Sequence, residues 1–213
     1  METRLEQSIH PIHPNETSPK RLLVLRAAES LFLSQGYGAV SMDAVARAAG
    51  VSKATLYAHF PSKDVLFATI VADKGEDNPF GPDLFPTDVA DLRAALEAIG
   101  FRVMEFMLRE RTLAIYRIAL AESARFPELG RAFYDNGPRR FGEQFSNWLT
   151  TLISQGQVRP ANTEIATHQF MAMMRSGVFL RRSLAVPPEA SSEEIHATVT
   201  AATDTWLRAY GCT

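Results

Sequence analysis

Between Ser52 and Lys63 the chain reads Ser-Lys-Ala-Thr-Leu-Tyr-Ala-His-Phe-Pro-Ser-Lys. Once Leu56 and Phe60, four residues apart, are given to a core, one short helical face of polar and small groups is left: Ser52, Lys53, Ala54, Thr55, Tyr57, Ala58 and His59. None of them forms a nucleophile–base pair, and none of the five histidines in the chain sits in a catalytic or metal-binding constellation. The chemistry on offer is non-covalent. A lysine can donate to guanine acceptors, and a threonine offers thymine both a hydroxyl and a methyl, so Lys53 and Thr55 suit the floor of a DNA major groove. Tyr57 and His59 suit phosphates. Lys63, at the mouth of the following helix, adds a cation to free backbone amides, and Ser41 stands at the same position on an earlier helix.

Those side chains need short helices set at an angle. Ser41 is placed to cap a helix with Val45, Ala46 and Ala49 inward and Asp43 at its positive end, and Gly50 stops it. Val51 plugs the corner, Ser52 caps the next helix, and Ala46, Ala49 and Ala54 let the two axes approach. Upstream, Ser18-Pro19 reads as a capped start for a helix burying Leu22, Leu23, Leu25, Ala28, Leu31, Phe32 and Leu33, with Gly36 as its stop. Downstream, Ser62 opens a helix carrying Val65, Leu66, Ile70 and Val71. Residues 1–18 are read as a flexible tail, 19–66 as a DNA-binding domain and 67–213 as a second domain. The proline-rich tail holds His10 and His13 without a third ligand, and residues 75–86 read as a loop.

The whole chain of 213 residues carries a net charge of -2, which opposes phosphate binding on average. Locally the balance reverses. Between residues 20 and 63, Lys20, Arg21, Arg26, Arg47, Lys53 and Lys63 face only Glu29 and Asp43, and screening makes the local surplus decisive. A single cysteine, Cys212, excludes a disulfide framework. No apolar run is long enough for a membrane, and no signal-peptide pattern opens the chain, so a cytoplasmic location is expected.

The rest of the sequence reads as helices over about 88–108, 111–124, 138–155, 163–185 and 191–210, with no strand pattern, so the fold is all-α. The first three gather Phe101, Met104, Met107, Tyr116, Phe133, Phe141, Phe145 and Trp148, a set suited to an adaptable apolar pocket, although such stripes also build ordinary cores. Arg102, Arg117 and Glu122 could orient a polar ligand end. The last two helices offer Phe170, Met174, Gly177, Val178, Val199 and Trp206 for a four-helix dimer interface, or for packing within one chain. The need for two reader helices on one operator favours the interface. Glu164 and His168, four apart, lack a third metal ligand, and no cofactor is called for.

From Gly36-Tyr37 through Ser41-Met42-Asp43, Ala49-Gly50-Val51-Ser52-Lys53-Ala54-Thr55-Leu56-Tyr57-Ala58-His59-Phe60 and Ser62-Lys63-Asp64-Val65-Leu66-Phe67, the sequence resembles the DNA-binding domain of TetR/AcrR transcriptional regulators, without a gap over about residues 20–70. The stretch Tyr116–Tyr134 is similar to the subgroup with an AefR-like C-terminal domain. The resemblance implies a three-helix helix-turn-helix reader and an all-helical C-terminal bundle for ligand binding and dimerisation. It implies homodimers on palindromic double-stranded operators, usually repressors released by a small effector. At the positions of Thr55, Tyr57, His59 and Lys63 it implies contact with DNA. A regulator without an effector is the alternative reading, and an enzyme using the C-terminal pocket would need a constellation that the sequence does not show.

Overall fold

The computed structural model describes residues 18–73 and 84–212, and the tail and most of the loop singled out above lie outside them. The chain divides into two compact units, residues 1–70 and 71–213. The described residues are helical throughout, with one isolated backbone bridge between Val158 and Gly211 and no strand.

The first unit contains α1 (Pro19–Gln35), α2 (Met42–Ala48), α3 (Lys53–His59) and most of α4 (Lys63–Ala72). Seven-residue helices such as α2 and α3 are too short to persist alone, so caps and burial must hold them. Ser41 accepts from the Ala44 amide and Ser52 from the Thr55 amide, each at 3.1 Å. Gly50 closes α2 at φ +66°, a left-handed conformation that favours glycine, while the Val51 amide reaches back to the Ala46 carbonyl at 3.0 Å. The rings of Phe32, Tyr37 and Phe67 meet pairwise with centroids 5.3–6.1 Å apart and join Val45, Leu56 and Phe60 in the core.

α1 departs from its sequence reading in two respects. Ser18 makes no side-chain cap. Leu22, Leu23 and Leu33 are exposed, because the buried stripe is Val24, Leu25, Ala28 and Phe32.

The second unit contains α5 (Leu92–Leu108), α6 (Glu110–Glu122), α7 (Pro127–Tyr134), α8 (Arg140–Ser154), α9 (Thr163–Met174), α10 (Val178–Ser183) and α11 (Ser192–Tyr210). α11 packs on α5 and α9, and α9 also packs on α8. The packing is tight at Gly100 of α5, where an added Cβ would stand 2.8 Å from Val199 Cγ1 and 2.9 Å from Met174 Cε. Only hydrogen fits there.

Two boundaries differ from expectation. Pro138 does not begin a helix. α7 runs into α8 through a π-helical turn, Asp135–Arg139, whose widened geometry takes the proline inside. The helix expected over 163–185 is broken at Arg175-Ser176-Gly177, where Gly177 has φ 44° and restarts the chain as α10.

Candidate nucleic-acid interface and ligand cavity

α3 presents Ser52, Lys53, Ala54, Tyr57 and Ala58 to solvent, with Thr55 and His59 half-buried beside them and Leu56 and Phe60 turned inward. The face is partly preset. The hydroxyls of Ser52 and Thr55 lie 2.9 Å apart, and Lys53 Nζ donates to Asp43 Oδ2 at 2.5 Å. That pair is exposed, so it holds the lysine against α2 at little energetic consequence and yields easily to a phosphate or base. Ser41 is exposed at the mouth of α2.

Lys63 is placed differently from the sequence reading. Its half-buried ammonium donates to the Tyr37 carbonyl at 2.8 Å and the Val40 carbonyl at 2.9 Å, and stands 4.1 Å from the centroid of the Tyr37 ring. It braces the α1–α2 turn against the start of α4.

In the second unit a cavity of ≈ 80 Å³ is lined by Met107, Tyr116, Phe133 and Phe141, four of the eight residues expected there. The other four are elsewhere. Met104, Phe145 and Trp148 are core: Phe145 stacks on Phe170 at 5.1 Å, and the Trp148 indole donates to the Pro86 carbonyl at 2.8 Å. Phe101 sets its ring 4.2 Å from His196. Of the three polar candidates, Arg117 donates to the Arg182 and Ser183 carbonyls at 2.7 and 2.9 Å, so it caps α10. Arg102 and Glu122 do not line the cavity.

The cavity wall also includes Phe106, Ile115, Phe179 and the π-turn residues Gly137 and Pro138. Phe179 could not be found by periodicity. On an unbroken helix, nine residues from Phe170, it would fall on the opposite face, and the break at Gly177 turns it inward, 5.3 Å from the Tyr116 ring. Val71 and Asp73, from the end of α4 and just beyond it, complete the wall. Arg111 holds Asp73 there, donating to its carbonyl at 2.8 Å, with the carboxylate 3.6 Å away.

The expected dimer residues are a correction. Phe170, Met174 and Val199 have no exposed surface, Trp206 is 1% exposed with its indole bonded to the Ala166 carbonyl, and Val178 is buried. These side chains fill the core of one chain, because α9 and α11 must cover α5 and α8. Gly177 alone of the set is exposed. The apolar groups left outside on this part of the chain are Ile165, Leu180, Leu184 and Val186.

Comparison with known proteins places both halves. The family described as "Bacterial regulatory proteins, tetR family" matches residues 24–70, and the one described as "AefR-like transcriptional repressor, C-terminal domain" matches residues 94–212. The chain is also 36% identical over 174 residues to the HTH-type transcriptional regulator UidR of Escherichia coli (strain K12), covering 76% of this chain and 81% of that one. The chain belongs to the TetR family. Like other TetR-family members it is a DNA-binding transcriptional regulator, and its relatives are regulators, not enzymes.

Among solved structures, the chain is similar to Flavonoid-responsive Regulator FrrA, with a TM-score of 0.75 and 34% identity over 90% of this chain and 97% of that one. A TetR-family regulator from Mesorhizobium loti shares the fold at a TM-score of 0.77, 24% identity and coverage of 91% and 97%. Over 52 residues, 24% of each chain, this sequence is 44% identical to the HTH-type transcriptional activator FasR of Mycolicibacterium smegmatis. No helix among the described residues is long and apolar enough to cross a membrane.

Proposed function

We propose that this TetR-family regulator is a homodimeric repressor that leaves a palindromic operator when a small, largely apolar effector occupies the cavity of the second unit. The observation that carries this reading is the make-up of the cavity wall. Val71 and Asp73, at the far end of the helix that begins at Lys63, stand in it beside the rings of Phe106, Tyr116, Phe133, Phe141 and Phe179. The cavity of ≈ 80 Å³ is smaller than the roughly 150 Å³ void that takes a benzene ring. Drug-sized ligands occupy roughly 300–1,000 Å³. An effector must therefore widen it, and the Arg111–Asp73 contact is the part of the wall whose displacement moves the end of α4. Release follows to the extent that the effector binds the widened arrangement more tightly than the narrow one. The name of the flavonoid-responsive relative supports an aromatic effector.

On the DNA side, Lys53 and Thr55 read base edges, Ser52 and Ala54 allow close approach, and Ser41, Tyr57 and His59 hold phosphates. Lys63 supports them as a brace. The dimer forms through the outer faces of α9 and α10, where Ile165, Leu180, Leu184 and Val186 leave an apolar surface that a second copy would cover.

The test is to select bound duplexes from genomic fragments, then titrate the best one in fluorescence anisotropy with aromatic compounds that raise the melting temperature of the protein. A saturating compound should lower operator affinity by tenfold or more. A ligand that fills the cavity and leaves operator affinity unchanged overturns the release mechanism, and a complex with a single copy per operator overturns the dimer.

A further inference from the structure

The charged groups around the cavity are unevenly paired. Asp73 and Arg111 satisfy one another, but Arg175 makes no side-chain hydrogen bond or ion pair among the described residues. Arg175 ends α9 and stands on two walls at once. With Pro138 and Met171 it lines the apolar cavity, and the same three residues line a polar groove between α8 and α9. Its guanidinium thus marks the seam where the cavity opens toward water.

The acids of the groove do not cancel this charge. Glu143 is taken by Arg139 at 3.2 Å. Glu164 lies eleven residues from Arg175 on the same helix, roughly 16 Å along its axis at 1.5 Å per residue. His168, the other titratable group on that stripe of α9, carries no negative charge in either form. The local field at the seam is therefore positive.

We infer that the cavity selects an aromatic anion, a ring bearing a carboxylate, with the ring among the aromatic side chains and the carboxylate at the seam against Arg175. This rests on the cavity being the effector site and names the chemistry that it takes. A carboxylate deep in the apolar chamber would lose its hydration without return, whereas at the seam it keeps water on the groove side and gains a planar, two-pronged donor on the other. Burying the ring supplies affinity, and the guanidinium supplies the choice between an acid and its neutral analogue. Because Arg175 is exposed, the preference is moderate and weakens with salt.

The experiment compares 2-naphthoate with 2-naphthamide, which share shape and differ in charge, by calorimetry on the full chain at neutral pH and low salt. Naphthoate should bind about tenfold tighter. Arg175→Met should bring the two close to parity by weakening naphthoate alone, and Arg175→Lys should keep part of the preference. Equal affinities in the unaltered protein overturn the inference, as does an Arg175→Met change that weakens both ligands equally. If the amide binds and releases operator DNA but naphthoate does not, the effector site stands and the anion preference falls. If neither binds up to its solubility limit, both fall.

Discussion

Replacing Lys63 with methionine separates two roles that a lysine at the mouth of a helix can play. In the structure its ammonium bonds the Tyr37 carbonyl at 2.8 Å and the Val40 carbonyl at 2.9 Å, and faces the Tyr37 ring at 4.1 Å. A hydrogen bond to a charged group is worth roughly 1.5–3 kcal/mol. The site is half-buried, so water recovers part of the loss at the two carbonyls. Methionine also keeps most of the stem packing. A net destabilisation of about 2 kcal/mol is the result. If the first unit melts by itself, this lowers its midpoint by about 8 °C or more, at roughly 4–8 °C per kcal/mol for a small domain.

The assay pairs thermal unfolding with operator binding across a salt series. Lys63→Met should lower the melting temperature and weaken binding to every duplex while leaving the slope of log K against log salt unchanged. Lys53→Met is the control, since Lys53 is exposed and held only by a surface pair with Asp43. It should weaken the selected operator much more than a scrambled duplex, with little change in melting. A Lys63→Met protein with an unaltered midpoint and a slope reduced by about one would refute the brace and return Lys63 to the phosphates.

Thr55→Ala, which loses a hydroxyl 2.9 Å from Ser52 on the exposed side of α3, should cost about 1–3 kcal/mol on the selected operator and almost nothing on a scrambled duplex. Comparison of the two titrations checks this. The Thr203 hydroxyl is fully buried without a hydrogen-bond partner among the described residues, so Thr203→Val should raise stability in urea by about 1 kcal/mol. In the Arg181–Glu194 pair, both guanidinium bonds are 2.8 Å, and the arginine, helped by the Ser191 amide, pushes the Glu194 carboxyl down to about 2. A depressed carboxylate stabilises above its unfolded value and loses that contribution as pH falls through the folded one. Glu194→Gln should therefore melt below the unaltered protein at pH 6, and the gap should close between about pH 4.5 and 2.

The reader was legible in the sequence because its signals are local. Ser41 and Ser52 cap helices a few residues long, Gly50 supplies the left-handed residue between them, and Leu56 with Phe60 leaves a single face outward, so the order of residues fixes what is presented. The two matched family descriptions agree with that reading of the chain as an all-α regulator.

The second unit was legible only as helices. Apolar periodicity shows that a stripe is buried but not what buries it. Phe145, Trp148, Phe170, Met174 and Trp206 are alike by sequence for a pocket, an interface or a core, and only the packing of α5, α8, α9 and α11 makes them core. Lys63 shows the same limit at the scale of one side chain. Its charge and its place before α4 were plain, but its acceptors are carbonyls 26 and 23 residues away, brought to it by the fold of α1 and α2. The break at Gly177 decides that Phe179 faces inward, and the π turn sets Pro138 in a wall where a helix start was expected. By itself the sequence determined the two short helices of the reader, their caps at Ser41 and Ser52 and the face of α3 left outward, because these depend on neighbours within about one turn. The tertiary structure decided which apolar residues enclose the cavity and which charges remain unpaired at its mouth, because those depend on contacts between segments far apart in the chain.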